Sequence, residues 1–146
     1  MDQRVSLITL GVKDIKKSRA FYEALGWTPV KHEHGDSIVF FQCLGMVLAL
    51  YPHDLLAEDA GVSPAKKDEF SGITLAYNVN GKEEVHAAVE QARKAGAKIL
   101  KEPQDVFWGG YHSYAADPDG HLWEIAFNPF TLIDGKGQFM MEKCDD

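Results

Sequence analysis

The 146-residue sequence has only two cysteines and no long apolar run. The cysteines, Cys43 and Cys144, form no C-x-x-C pair, so they indicate neither a disulfide framework nor a zinc knuckle. The opening segment, MDQRVSLITLGV, lacks the basic region and apolar core of a signal peptide, and no apolar run approaches the length of a membrane span. We therefore expect a cytoplasmic, reduced protein with no part in a membrane.

Positive charge is also scarce relative to negative charge. Fifteen Lys and Arg residues against 22 Asp and Glu residues give a net charge of −7. Nucleic acids and anionic membrane surfaces attract clustered Lys and Arg, so neither is expected as the main partner. An acidic protein permits a cationic ligand without requiring one. The apolar content of 45% is ordinary for a single globular domain.

Two amphipathic segments predict helices. Asp14 is suited to cap the first, and Gly26 follows it as a left-handed stop. Asn80 and Glu83 form a capping-box pattern at the second, which Gly96 ends. A β-rich run precedes each helix and three strand candidates follow each. These runs are residues 5–12 and 73–79 before the helices, then 28–32, 37–43 and 46–51, and 98–100, 111–115 and 121–127.

The predicted order is therefore βαβββ twice, an internal repeat of architecture with little similarity of side chains. The first strands of the two halves end 67 residues apart, at Val12 and Val79. The last strands begin 75 residues apart, after Gly45 and Gly120. We predict one α+β domain with modules at residues 4–52 and 72–129. A charged, loop-like linker would occupy residues 53–71, and a tail would occupy residues 130–146.

Two stretches resemble the vicinal-oxygen-chelate superfamily, which includes glyoxalases, bleomycin resistance proteins and ring-cleaving dioxygenases. LITLGVKDIKKSRAFYEALGW (7–27) is similar to the family's opening strand and helix, with its Val-x-Asp and Ser-x-x-Phe-Tyr patterns. DPDGHLWEIAFNP (117–129) resembles its closing hairpin and last strand. The resemblance implies paired modules that form a curved, mixed but mainly antiparallel sheet around a cleft. It also implies a homodimer, across which the tail would pack.

Metal-dependent members of the family hold one divalent ion with a ligand from the first and the last strand of each module. The resemblance places these four positions at Leu7, Ala49, Thr74 and Glu124. Leucine and alanine cannot donate to a metal, and a neutral threonine is a poor substitute for imidazole. We therefore expect no metal and no other cofactor, and the departure disfavours glyoxalase, ring-cleaving dioxygenase and thiol-transferase activities.

Glu124 is the candidate catalytic residue. In a cleft, its carboxylate would serve as a general acid or base, or as a hydrogen-bonding anchor for a ligand. The alternative is a relic carboxylate paired with a neighbouring base or amide. The leading hypothesis is a metal-independent small-molecule-binding protein, and the alternative is a metal-dependent glyoxalase-like lyase or dioxygenase. The sequence does not decide whether the protein is an enzyme.

Other candidate ligand contacts come from the first strands and from an aromatic segment that contains a Gly-Gly pair. The aromatics suit a planar or cationic ligand, although Trp108 is equally suited to bridge the modules as core. His32 and His34 have the spacing of an adventitious chelate, but a solvated edge strand explains them better. The candidate substrate-binding residues are Leu7, Thr9, Ala49, Thr74, Trp108, Tyr111, His112 and Tyr114.

Overall fold

The structure, a computed structural model, describes residues 1–33, 35–66 and 68–141. His34 of the predicted histidine pair and Cys144 of the predicted tail lie outside these ranges. The chain divides into two compact units. Unit 1 comprises Met1–Gly72 together with Pro118–His121, and unit 2 begins at Ile73 and contains the rest of the chain.

Unit 1 contains a three-stranded sheet with two α-helices. Its sheet has the order β1-β3-β2, in which β1 runs parallel and β2 antiparallel to β3. Helix α1 packs on β3, and α2 packs on β1 and β3. The elements are β1 (Leu7–Val12), α1 (Ile15–Ala24), a short 3-10 helix (Gly35–Ser37), β2 (Val39–Gln42), β3 (Val47–Pro52) and α2 (His53–Ala60).

The predicted start and stop of α1 are confirmed. The side chain of Asp14 accepts a hydrogen bond from the Lys17 amide at 3.1 Å, and Gly26 adopts a φ of 91° after the last turn. Phe21 and Tyr22 from this helix are buried in the core of unit 1. On β1, Val12 is 1% exposed and Leu7 46% exposed, so burial increases along the strand towards the helix.

Unit 2 contains a four-stranded sheet, one long helix and a separate hairpin. The sheet has the order β4-β7-β6-β5, with β4 parallel to β7 and the other pairs antiparallel. Helix α3 packs on all four strands. The elements are β4 (Leu75–Val79), α3 (Lys82–Ala95), β5 (Lys98–Asp105), β6 (Tyr111–Ala116), β7 (Leu122–Phe127), β8 (Thr131–Ile133) and β9 (Phe139–Met141).

Helix α3 begins one residue later than predicted. Its N-cap is Gly81 rather than Asn80, and no side chain caps it. Instead, the carboxylate of Glu84 accepts a hydrogen bond from the Asn80 amide at 2.9 Å. An acidic side chain therefore bonds the backbone at the helix start, as predicted, but it is Glu84 rather than Glu83. Gly96 ends the helix with a φ of 104°, as predicted.

The internal repeat appears in the strand register of the two units. In unit 1, Thr9 pairs with Ala49 in the parallel β1–β3 ladder. In unit 2, Ala76 pairs with Glu124 in the parallel β4–β7 ladder. Residues 9 and 76 are 67 apart, and residues 49 and 124 are 75 apart, which are the two offsets that the sequence predicts. In the three-stranded and in the four-stranded sheet, the first and last strands in chain order therefore pair in the same register.

Three predicted boundaries differ from the structure. The predicted linker begins with helix α2, which follows Pro52 without a side-chain cap and so lacks a capping signal. Residues 28–32, which the structure describes in full, form no regular strand. The Val30 amide donates a strand-like hydrogen bond to the Phe40 carbonyl at 2.7 Å. Pro29 in this segment has no N–H to donate, which works against a strand. The tail contains the β8–β9 hairpin.

Strand β5 is longer than the predicted residues 98–100. It continues to Asp105 because it is the edge strand of its sheet, where Pro103 does not need an amide hydrogen. Its ladder with β6 shifts register between Ile99 and Lys101 and again before Gln104. Overall the fold is α+β with mixed, mainly antiparallel sheets, as predicted. In the described part of the chain, no helix is long and apolar enough to cross a membrane.

Candidate functional site

The candidate site lies on one face of the sheet of unit 2, formed by β6 and β7. His112 and Tyr114 are two residues apart on β6 and therefore project from the same face. Glu124 lies directly opposite Tyr114 on β7. The opposite face carries Ser113 and Ile125, which are buried. We call the face with His112, Tyr114 and Glu124 the site face.

The site face is the one turned away from α3. Helix α3 contacts the other face through Arg93, whose guanidinium is 2.9 Å from each carboxylate oxygen of Glu102. Lys82 of the same helix pairs with Asp105 at 2.7 Å. The acidic residues of β5 therefore face the helix, while Lys101, paired with Tyr114 across the sheet, lies on the site face.

His112 and Glu124 form a short hydrogen bond across the two strands. Nδ1 of His112 lies 2.7 Å from Oε2 of Glu124, and the two side chains are 12% and 24% exposed. An ionised carboxylate only accepts hydrogen bonds, so Nδ1 is the donor. No partner for Nε2 of His112 occurs in residues 1–33, 35–66 and 68–141. Glu124 is therefore paired with a neighbouring base, as the alternative interpretation of the sequence expected.

Tyr114 completes the cluster. Its ring and the imidazole of His112 meet edge to face, with centroids 5.3 Å apart and planes at 73°. Burial, the negative charge of Glu124 and a hydrogen bond to that carboxylate together raise the pKa of Tyr114 above its usual value. The phenol is therefore protonated at neutral pH and acts as a second donor to Glu124. We call His112, Tyr114 and Glu124 the site cluster.

Two of the other aromatic candidates lie apart from the site cluster. Tyr111 projects towards α3, where its hydroxyl is 2.6 Å from Nε2 of His86 and its ring lies under Lys82 at 5.0 Å. Trp108 is 40% exposed and its indole ring packs against Gly110 in its own loop. Among the described residues, Trp108 makes no ring contact with His112 or Tyr114.

The remaining candidates are four residues of the first and last strands or next to them: Leu7, Thr9, Ala49 and Thr74. In unit 1, Leu7 is half-exposed, Thr9 is partly exposed, and Ala49 is fully buried between two buried leucines. In unit 2, Thr74 is exposed and lies one residue before β4 begins. The contact of these side chains with a ligand stays a prediction.

The side chains at the four family ligand positions do not fit a divalent metal. Leu7 and Ala49 offer no donor atom, and the carboxylate of Glu124 is bonded to His112. Zinc sites have four protein ligands when structural and three when catalytic. Within the described ranges, no group of three or more His, Cys, Asp or Glu side chains is arranged to hold a metal ion.

His32 and His121 each bond a backbone carbonyl. The ring of His32 bonds the Ile38 carbonyl at 3.0 Å, and its predicted partner His34 is not among the described residues. His121 lies in the turn that precedes β7, and this turn belongs to unit 1. Nε2 of His121 donates to the Gly11 carbonyl at 2.7 Å. The neighbouring Asp119 accepts from the Lys13 amide at 2.7 Å.

Sequence reasoning selected the three members of the site cluster but missed their mutual contacts. A usable signal was present in the tight turn Asp117-Pro118-Asp119-Gly120. A hairpin centred on residue 119 pairs residues whose numbers sum to 238, which places Tyr114 opposite Glu124. His112 then lies on the same face, diagonal to Glu124, within reach of a long side chain.

Comparison with known proteins identifies the family. The family model of the Glyoxalase/Bleomycin resistance protein/Dioxygenase superfamily matches residues 4–125. A glyoxalase-related enzyme from Fulvimarina pelagi is 39% identical, with a TM-score of 0.86, and the match covers 97% of this chain and 99% of that chain. The curated proteins include no match.

Two further solved structures are less similar in sequence. The hypothetical protein SA1046 from S. aureus is 26% identical with a TM-score of 0.74, over 88% of this chain and 95% of that one. Lactoylglutathione lyase from Agrobacterium tumefaciens shares the fold, with a TM-score of 0.63 at 19% identity over 87% and 95% of the two chains. With the family model matching most of its length, the chain belongs to the glyoxalase/bleomycin resistance protein/dioxygenase superfamily.

Proposed function

We propose that this protein binds a small molecule without a metal ion, through the site cluster of His112, Tyr114 and Glu124. The observation that carries the proposal is the 2.7 Å bond between His112 and Glu124 on the site face, with Tyr114 as a second donor to the same carboxylate. Small-molecule sites typically combine an apolar or aromatic lining with a few polar groups that fix orientation. The site cluster supplies both.

The donor set, rather than the fold, supports metal independence. A carboxylate that already accepts two hydrogen bonds, with hydrocarbon side chains at two other ligand positions, leaves an ion mostly hydrated. Such an ion is held weakly and exchanges fast. Tight binding of zinc, nickel, manganese or iron(II) with Glu124 in contact would instead favour a metal-dependent lyase or dioxygenase.

The ligand class that we propose is a planar molecule, neutral or cationic. The edge-to-face pair of His112 and Tyr114 offers aromatic surface for stacking, and Glu124 offers a negative charge next to it. The overall charge of −7 is compatible with a cation. Planar aromatic cations gain further from contact with tyrosine rings.

We also propose a cytoplasmic homodimer. The β8–β9 hairpin exposes Phe139 and Met141 at 45% and 70%, and these two side chains project from the same face of the hairpin. Two-stranded hairpins are marginally stable alone, and clustered exposed apolar side chains mark interaction surfaces. Sedimentation at micromolar concentration is expected to give a dimer, and replacing Phe139 and Met141 with serine is expected to give a monomer. A wild-type monomer at that concentration would contradict this assembly.

The binding proposal is tested with acriflavine, a planar cation, as the fluorescent probe. We expect saturable binding that weakens by about tenfold in Glu124→Gln, since a charge-assisted contact becomes a neutral one. Glu102→Gln is the matched control, because Glu102 is an exposed carboxylate of the same sheet that faces α3. Equal loss in both variants would show non-specific attraction of the dye to an acidic protein and would refute the proposed site.

A further inference from the structure

The hydrogen bonds within the site cluster distinguish the atom that is available to a ligand from the atoms that are already engaged. The Glu124 carboxylate accepts from Nδ1 of His112 and from the Tyr114 hydroxyl. A neutral imidazole has one donor and one acceptor nitrogen, so a hydrogen on Nδ1 leaves Nε2 as the acceptor. Within the described ranges no residue bonds Nε2. Nε2 is therefore the basic atom of the cluster that lacks a partner among the described residues.

We propose that His112 exchanges a proton with the bound molecule through Nε2, and that Glu124 is a positioning residue rather than the catalytic one. This proposal rests on the small-molecule site proposed above. A carboxylate on Nδ1 fixes the tautomer and the orientation of an imidazole, and it stabilises the imidazolium that forms when Nε2 takes a proton. The activity is metal-independent acid–base catalysis.

The surroundings of His112 favour a fixed ring. The tyrosine ring of Tyr114 contacts the imidazole at 73°, and the bond to Glu124 holds Nδ1 at 2.7 Å. The side chain is 12% exposed, so it is partly desolvated without being sealed from solvent. A base that is oriented before the ligand arrives needs little reorganisation during proton transfer.

The substrate class is a planar molecule with a weakly acidic C–H next to an electron-withdrawing group. 5-Nitrobenzisoxazole is such a molecule and is the probe for the test. Nε2 takes the proton from C3, and the C–H electron pair becomes part of the nitrile triple bond. The ring N–O bond breaks and the oxygen leaves as a coloured phenolate. The imidazolium then returns its proton to water, so the step needs no oxidant or metal.

Ring opening is measured with the full-length wild-type protein and with His112→Asn, which keeps an amide N–H near Nδ1 but lacks Nε2. We expect saturable kinetics in the wild type and a loss of kcat of at least about tenfold in His112→Asn. His86→Asn is the matched control, because the His86 ring contacts the ring of Tyr111 as the His112 ring contacts that of Tyr114, but His86 lies on the α3 side of the sheet. Its rate is expected to equal that of the wild type.

The positioning role of Glu124 has a spectroscopic test. In ¹⁵N spectra of the wild type, the imidazole of His112 is expected as the tautomer with hydrogen on Nδ1. Glu124→Gln is expected to give a mixture of tautomers and a lower kcat with little change in KM. Diethyl pyrocarbonate, which modifies accessible unprotonated imidazole nitrogens, is expected to modify His112 in the wild type, as read by mass spectrometry. An unmodified His112 would overturn the proposal.

The other possible outcomes of these experiments distinguish a failure of this inference from a failure of the proposed small-molecule binding. If His112→Asn keeps the ring-opening rate while Glu124→Gln loses it, Glu124 is the base, and the small-molecule site stands without the role given to His112. If the probe perturbs the signals of the site cluster but is not opened, binding stands and proton transfer is wrong. If neither nitrobenzisoxazole nor acriflavine perturbs those signals, the proposed function and this inference both fail.

Discussion

Nδ1 of His112 and Oε2 of Glu124 are 2.7 Å apart, on neighbouring antiparallel strands of one sheet. The two residues are not directly opposite each other, since His112 pairs with Ala126 and Glu124 pairs with Tyr114. The bond is therefore a diagonal contact across the ladder, made possible by the length of the glutamate side chain. It places a charged acceptor beside the aromatic pair of His112 and Tyr114 on the site face.

Glu124→Ala is expected to destabilise the fold by about 1–3 kcal/mol, because it leaves the His112 donor without an acceptor in a largely buried position. Glu124→Gln is expected to cost less, since an amide oxygen can still accept. The measurement is urea unfolding at pH 7. Glu102→Ala, which breaks an ion pair between side chains 65% and 43% exposed, is expected to cost at most about 1 kcal/mol. Equal costs for the two alanine variants would contradict the importance of the His112 bond.

Tyr114 is expected to lose its proton at a higher pH than an ordinary tyrosine, as followed by the ¹³C signal of its phenol carbon. Burial is the largest cause of the raised pKa, and Glu124 adds to it through charge and a hydrogen bond. Glu124→Gln is therefore expected to lower the pKa of Tyr114 but not to restore its usual value. An unchanged pKa in that variant would show that Glu124 does not act on the phenol.

The raised pKa of Tyr114 also affects the stability of the fold at alkaline pH. Because the pKa of Tyr114 is higher in the folded than in the unfolded chain, its contribution is fully present below the unfolded value of about 10. The contribution is lost as pH rises through the folded pKa. Stability is expected to fall more steeply in that window for the wild type than for Tyr114→Phe, as measured by urea unfolding across the window. Parallel curves would rule out this contribution.

Gly110→Ala is expected to displace the indole ring of Trp108. A Cβ at residue 110 would lie 2.7 Å from Cζ2 of Trp108 and closer still to two other ring atoms. Because the indole ring is the outer end of a side chain that is 40% exposed and can turn away, we expect a cost below the about 1–3 kcal/mol of overfilling a packed core. The cost is expected to shrink in a Trp108→Ala background, which a double-mutant cycle of unfolding free energies measures. An equal cost in both backgrounds would show that the indole does not occupy this space.

The sequence predicted those parts of the fold that local chemistry determines. Asp14 and Gly26 delimit α1 through a side-chain cap and a positive φ, both of which are encoded locally. Helix α2 was missed because Pro52 provides no capping side chain. The three-residue strands β8 and β9 are too short for an alternation pattern to distinguish them from a loop. The contact of His112 with Glu124 was missed because the register that the turn before β7 imposes on β6 and β7 was not followed through to the facing side chains.

The central claim is that the site cluster binds a small molecule without a metal ion. The most direct measurement is a titration of the EDTA-treated protein with acriflavine, following the imidazole signals of His112 and the ring signals of Tyr114 by NMR. We predict saturable shifts of both residues that are unchanged when zinc, nickel, manganese or iron(II) is restored without EDTA. Binding that occurs only after a divalent metal is restored, with Glu124 as its ligand, would contradict the account.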